Sequence, residues 1–337
     1  MIGFLAFLNP ITILLVVNFL VVLYYNYYSK ELIILFTPLV IVSIIVTVML
    51  RNFLILRIQD VIWARQSISL NHLAWKLIAI IIIISGILEL AFFGIPMLGQ
   101  VSYVKFGFPL LHHMAVSSWL LIFINFPNKY LNSLVNIYAF LFPLLIFNRD
   151  VFLLTVICYI FRMLMLGRLK WIHFIIGTTL FALIFSAIGG IRSGNVNELI
   201  NLPLNFNINY MNPVLFWIFI YTTVPSFNLH HNTFYDSGRD LYDPLLTVFP
   251  EYYKLMEIYS FSGLYIYLLI GGFAIILPRL TNFPGWMCFS LFFYYQFIMG
   301  CIFSNKLLNT HTLFVFLIIF LVFLTRQAIK SINRQIV

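Results

Sequence analysis

The chain has 337 residues, of which 63% are hydrophobic and 9% are charged, and its mean hydropathy is +1.03. This composition excludes a water-soluble domain and predicts an all-α, polytopic integral membrane protein, because backbone amides in lipid must be hydrogen-bonded within helices. The net charge of +9 does not indicate nucleic-acid binding, since the basic residues lie at the ends of apolar runs, as membrane topology requires.

Ten apolar runs of membrane length, or nearly so, follow one another, and we expect each to form a transmembrane helix. The first has no basic leader and no small-residue cleavage site, so it is read as a retained helix. The runs cover residues 4–25, 32–50, 77–95, 110–126, 131–147, 151–167, 171–190, 260–277, 285–303 and 311–325. We therefore predict about 10–11 transmembrane helices in a single domain, 1–337.

The uncertain span is the run 213–225, which has about thirteen residues where roughly twenty are needed. The basic segment 51–76 must be cytoplasmic, and the distribution of lysine and arginine then favours a re-entrant segment over a span. On this topology the large loop 191–259 faces the outside, which is the periplasm for a bacterial inner membrane. That loop holds most of the acidic side chains of the chain.

One acidic residue, Glu89, lies inside the third apolar run, in the sequence SGILELAFFGIP. An ionised carboxylate in hydrocarbon is costly, so an acid within a membrane span is a functional candidate. A hydrogen bond that only packs two helices together is the alternative.

The segment that follows this carboxylate reads FFGIPMLGQVSYVKFGFPLLHH and contains two glycine–proline breaks, at Gly94–Pro96 and Gly107–Pro109. These breaks predict a shaped loop at the membrane surface between two helices. A histidine at the start of a span can act as a base, bind phosphate or only mark the interface. The candidate side chains of this segment are Tyr103, Lys105 and His112, with His113 a weaker candidate.

Arg192 closes the sequence FSAIGGIRSGN at the external end of the seventh run. The flanking glycines allow a tight turn, and a guanidinium can hold phosphate oxygens in a bidentate manner. An arginine that only reaches back to the membrane interface is the alternative.

The large loop continues with IYTTVPSFNLHHNTFYDSGRDLYDP. Aromatic rings stack on sugar faces, and amides and carboxylates bind sugar hydroxyls, so this mixture is typical of a glycan-binding surface. Its candidate substrate-binding residues are Tyr221, Asn228, His230, Tyr235, Asp236 and Arg239.

Several motifs are missing from the sequence. There is no paired-acid motif for a divalent metal, no HExxH, no glycine-rich phosphate loop, and the histidine pairs lack the further ligands of a zinc site. We therefore expect chemistry without a metal or cofactor, in which arginine and lysine neutralise phosphate.

The region of about residues 85–235 resembles the Wzy-type oligosaccharide repeat-unit polymerases, also called O-antigen polymerases. The similarity consists of Glu89 with GIPMLGQVSYVKFGFPLLHH, then GGIRSGN after a middle span, then YTTVPSFNL in the large loop. The resemblance implies a C-type glycosyltransferase architecture and a transfer of glycan from undecaprenyl pyrophosphate to a lipid-linked repeat unit. A polysaccharide chain-length regulator is the partner that it implies.

The resemblance also implies roles for the candidate residues. The pyrophosphate leaving group needs cations, for which Arg192, Arg239 and Lys105 are candidates. The attacking hydroxyl needs a base, and we prefer Glu89 over His112 or His230. The residues expected to position sugars are Tyr103, Tyr221, Asn228, Tyr235 and Asp236.

Two other classes stay open. A flippase or transporter of the same lipid-linked glycan would line a central cavity with charges on several spans, whereas here the polar groups gather on one face. An integral membrane acyltransferase would use a histidine and an arginine on the cytoplasmic side, for which His72 and Arg65 are the nearest candidates.

Overall fold

The computed structural model describes residues 9–25, 28–59, 70–101, 105–166, 213–232, 250–280, 284–302 and 309–335, with isolated positions between 168 and 205. Within these ranges the chain is built from helices, and an isolated bridge pairs Leu70 with Ile124. The prediction of an all-α protein is confirmed for this part of the chain.

The described α-helices are numbered here in chain order. They are α1 Pro10–Tyr24, α2 Lys30–Gln59, α3 Leu73–Phe93, α4 Pro109–Ala115, α5 Lys129–Leu145, α6 Arg149–Met165, α7 Pro213–Asn232, α8 Glu251–Tyr259, α9 Ser262–Leu280, α10 Pro284–Gly300 and α11 Thr310–Gln335. Short 3-10 helices cover Pro96–Leu98 and Val116–Phe123.

Among the described residues, three segments are long and apolar enough to cross a membrane: Lys30–Asn52, Leu73–Leu98 and Thr310–Ile332. Large apolar side chains remain exposed along α2, with Ile34 71%, Ile41 66% and Met49 66% exposed. A helix whose apolar side chains face outward is suited to lipid rather than water. Shorter apolar helices lie at Pro10–Tyr24, Pro109–Phe123 and Ser262–Gly271. The total of 10–11 spans stays a prediction.

The segment predicted as the large loop contains two helices. The run 213–225 belongs to α7, which continues through seven further residues to Asn232. The apolar run ends at residue 225 because polar residues follow it. The helix continues because some of those polar side chains form hydrogen bonds inside the protein, as described for His230 below. Helix α8 was not predicted from the sequence, and its Tyr252 is buried among apolar residues.

The described residues fall into two compact units. The first unit comprises Met1–Leu56, Thr178–Ala274 and Phe293–Leu308. In it α7 packs against α1, and the ring of Tyr25 stacks on Phe227 at a centroid distance of 4.4 Å. The ring of Tyr267 likewise stacks on Phe297 at 4.1 Å. Aromatic stacking therefore holds the core of this unit together.

The second unit comprises Arg57–Gly177, Ile275–Phe292 and Asn309–Val337. Its centre is the packing of α3, α4, α5 and α6 around the 3-10 helix Val116–Phe123. Helices α3 and α5 approach closely at Gly86, where any Cβ would overlap the Tyr138 hydroxyl and the Phe142 ring. The guanidinium of Arg162 donates to the Ile122 carbonyl and to Asn125 Oδ1 and so satisfies the end of the 3-10 helix.

Candidate active site

The carboxylate of Glu89 is completely buried in the last turn of α3. Its Oε1 accepts a hydrogen bond from the Phe108 backbone N–H at 3.1 Å, and its Oε2 lies 3.1 Å from His112 Nδ1. An unpaired carboxylate at this depth would be strongly unfavourable, so both oxygens require partners. The segment 94–112 supplies both of them.

The backbone between Glu89 and His112 turns at glycines. Helix α3 ends at Gly94, whose φ is +83°, and its N–H donates to the Leu90 carbonyl at 3.0 Å. Gly107 has φ +99°, and a Cβ on it would lie 2.6 Å from His112 Nδ1 and 3.1 Å from Glu89 Oε1. A side chain at position 107 would therefore strain the backbone and push the two functional groups apart. Pro109 then starts α4.

The contact with Glu89 fixes the chemistry of His112. An ionised carboxylate only accepts hydrogen bonds, so Nδ1–H of His112 donates to it, and the lone pair of Nε2 is left as a base. The side chain of His112 is 23% exposed, whereas that of Glu89 is not exposed. The imidazole also lies edge to face with Phe106 at 5.9 Å, which restricts its orientation. The geometry is that of a histidine general base oriented by a carboxylate.

The other predicted site residues are placed as follows. Lys105 is exposed and lies in the same loop, two residues before Gly107. Tyr221 is part of α7, but its side chain is outside the described part of the chain. The predicted residues that lie outside the described residues altogether are Tyr103, Arg192, Tyr235, Asp236 and Arg239.

Asn228 and His230 belong to the first unit, and His230 is only 1% exposed. Its Nδ1 accepts from the Ser29 backbone N–H at 3.0 Å, and its Nε2 donates to Asn18 Oδ1 at 2.9 Å. Both ring nitrogens are used, so in this structure His230 joins α1, the start of α2 and α7. Binding of sugar by His230 or by the partly buried Asn228 stays a prediction.

His311 is a residue of this region that was not among the predicted site residues. It lies in the first turn of α11, and its ring stacks on His113 at a centroid distance of 6.1 Å and an interplanar angle of 26°. The available signal was its position at the start of an apolar run, the same signal that pointed to His112. Both His113 and His311 of the second unit thus lie near His112.

No protein-family model, curated protein or solved structure matches the chain. Within the described ranges, no group of three or more histidine, cysteine, aspartate or glutamate residues is arranged to hold a metal ion.

Proposed function

We propose that the protein is a membrane glycosyltransferase that polymerises undecaprenyl-pyrophosphate-linked oligosaccharide repeat units at the periplasmic face of a bacterial inner membrane. The observation that supports this most strongly is the pair formed by Glu89 and His112 at the end of an apolar helix of membrane length. The reactive head group of a lipid-linked glycan lies at the same depth, where an apolar helix meets water. The sequence resemblance described above supports the choice of glycan as substrate.

The proposed step begins at the acceptor sugar. His112 Nε2 removes the proton from a sugar hydroxyl, and the oxygen forms a bond to the anomeric carbon of the donor glycan. The bond between that carbon and the pyrophosphate oxygen breaks, and its electron pair leaves with undecaprenyl pyrophosphate. The buried carboxylate of Glu89 stabilises the imidazolium that forms and holds the ring in its orientation. Glu89 is thus a positioning residue, and His112 is the base.

The leaving pyrophosphate carries negative charge that must be compensated. Lys105 is exposed in the loop that carries Gly107, so its ammonium can reach a phosphate oxygen at the surface of this loop. Arg192 and Arg239 are further proposed cations, because a guanidinium binds phosphate in a bidentate manner at any physiological pH. Tyr103, Tyr221, Asn228, Tyr235 and Asp236 are proposed to position sugars, and a chain-length regulator is the proposed partner.

A cell that lacks the protein and expresses His112→Ala tests the proposal. We expect the ladder of long polysaccharide to disappear while single repeat units still reach the surface, because removal of a general base lowers the rate about 10²–10⁴-fold. His72→Asn is the matched control: His72 caps the other end of α3, and asparagine is also a good N-cap residue. This control should keep the ladder.

The parent cell that lacks the protein separates the other two classes. Without a flippase no repeat units would reach the surface, and without an acyltransferase a polymer of normal length would lack acyl groups. A polysaccharide ladder of wild-type length from a well-expressed His112→Ala protein would exclude the proposed function.

A further inference from the structure

A second histidine group lies in the unit that contains Glu89 and His112, and the step proposed above does not use it. Both ring nitrogens of His311 are buried and have no hydrogen-bond partner in the described part of the chain. Its neighbour His113 directly follows His112 in α4, and both His113 and His311 are partly exposed as whole residues.

Ring contacts and charges hold His311 in place. The imidazole stacks on His113 at 6.1 Å and lies edge to face with Phe292 at 5.5 Å. The side chains of His112 and Asp150 are within electrostatic range of the same ring. His311 is therefore a neighbour of the base, although its own nitrogens make no hydrogen bond among the described residues.

A buried polar atom without a partner costs about 1–3 kcal/mol, so folded proteins rarely keep one without a function. Phenylalanine at this position would keep the ring contacts and avoid that cost. A half-turn of the imidazole about its Cβ–Cγ bond exchanges Nδ1 with Cδ2 and Nε2 with Cε1, and this terminal torsion is soft. The ring can thus turn a nitrogen towards a ligand without a change in the backbone.

The hydrogen-bonding groups of the His311 imidazole indicate which ligand it would bind. A neutral imidazole offers one donor nitrogen and one acceptor nitrogen, which point in different directions, and a hydroxyl can pair with either because it both donates and accepts. A phosphate oxygen only accepts, so it can pair with the donor nitrogen alone, and an apolar ligand would pair neither nitrogen. The hydroxyls of a sugar are close together along its ring, so a group beside the base can bind the sugar that the base deprotonates.

We propose that His311, supported by His113, binds a hydroxyl group of the acceptor sugar next to the hydroxyl that His112 deprotonates. This inference rests on the proposed function and adds to it a residue that recognises the acceptor. His311 holds the sugar in place and takes no proton, so its loss affects substrate binding more than the chemical step.

The test uses the full chain in lipid nanodiscs with lipid-linked repeat units extracted from cells that lack the protein. His311→Phe should raise KM about tenfold and change kcat little, which corresponds to the loss of one or two neutral hydrogen bonds. His311→Gln keeps a donor and an acceptor and should restore most of the affinity. An unchanged KM in a folded His311→Phe protein, or a glutamine variant no better than phenylalanine, would overturn the inference.

A second measurement does not require a variant. Diethyl pyrocarbonate modifies accessible imidazole nitrogens, and the buried nitrogens of His311 become accessible to it when the ring turns. Saturating lipid-linked repeat unit should then protect His311 while His72, at the far end of α3, keeps its rate. Equal modification with and without the substrate would also overturn the inference. Failure of the proposed function is recognised separately, because His112→Ala would then retain polymerisation whatever His311 does.

Discussion

Gly107→Ala is the most specific perturbation of the candidate site. The residue has φ +99°, and its added Cβ would lie 2.6 Å from His112 Nδ1, where ordinary contact begins at 3.4 Å. The imidazole must therefore move by about 0.8 Å, and the hydrogen bond to Glu89 is lost or distorted. The positive φ costs about 1–2 kcal/mol for alanine, and a charge-assisted hydrogen bond contributes about 1.5–3 kcal/mol.

The chain contains a matched control for the backbone strain. Gly99 also has a positive φ, +72°, but a Cβ there meets nothing within 4 Å. Gly99→Ala should therefore lower stability by only about 1–2 kcal/mol. Gly107→Ala should lower it by roughly 3–5 kcal/mol when strain and the lost hydrogen bond are combined.

The assay measures polymerisation by purified protein in nanodiscs, together with thermal unfolding of the same samples. A displacement of about 1 Å at a catalytic group lowers the rate about 10²-fold, so we expect this loss for Gly107→Ala and a change of only a few-fold for Gly99→Ala. Equal rates in the two variants, both measured below their unfolding transitions, would show that the spacing between Glu89 and His112 does not determine the rate. The reasoning about the site would then be wrong.

Two further predictions concern the other buried polar groups. Glu89→Gln should lower the polymerisation rate about 10²–10⁴-fold in folded protein. The amide N–H opposite His112 Nδ1 favours the tautomer in which Nε2 carries the proton and has no free lone pair. A rate close to wild type would show that another residue is the base. His230→Ala should lower the free energy of unfolding by about 3–5 kcal/mol, since it leaves the Ser29 N–H buried without its partner and opens a cavity. Thr222→Val is its control on the same helix, because the Thr222 hydroxyl bonds to two carbonyls of that helix. Thermal unfolding should show a small change, and equal losses would contradict the role of His230.

The backbone around the candidate site could be predicted from sequence because glycine and proline act locally. The breaks expected at Gly94–Pro96 and Gly107–Pro109 are where α3 ends and α4 begins. Glu89 and His112 were both predicted as candidates from the sequence, and Glu89 was preferred as the base. The structure buries Glu89 completely and leaves His112 partly exposed, which is why the proposed base is His112. Burial depends on packing against distant segments, which local spacing does not contain.

His230 shows more clearly that local sequence does not reveal long-range contacts. Its surroundings in the sequence are typical of a polar loop, and the sequence therefore predicts a sugar-binding side chain. The hydrogen-bond partner of its Nε2 is Asn18, which is 212 residues away, and no periodicity within the loop could reveal that contact. The long-range partners of a polar residue decide whether it is available to a substrate.

The pairing of Glu89 with the segment after it has a consequence for biogenesis. While α3 leaves the ribosome, its carboxylate has no partner, and an acidic residue within a span costs up to about 2.5–3.5 kcal/mol on insertion. Both partners, the Phe108 N–H and the His112 ring, are translated about twenty residues later. We therefore expect α3 to enter the bilayer together with α4 as a helical hairpin in which Glu89 is already paired with these two groups.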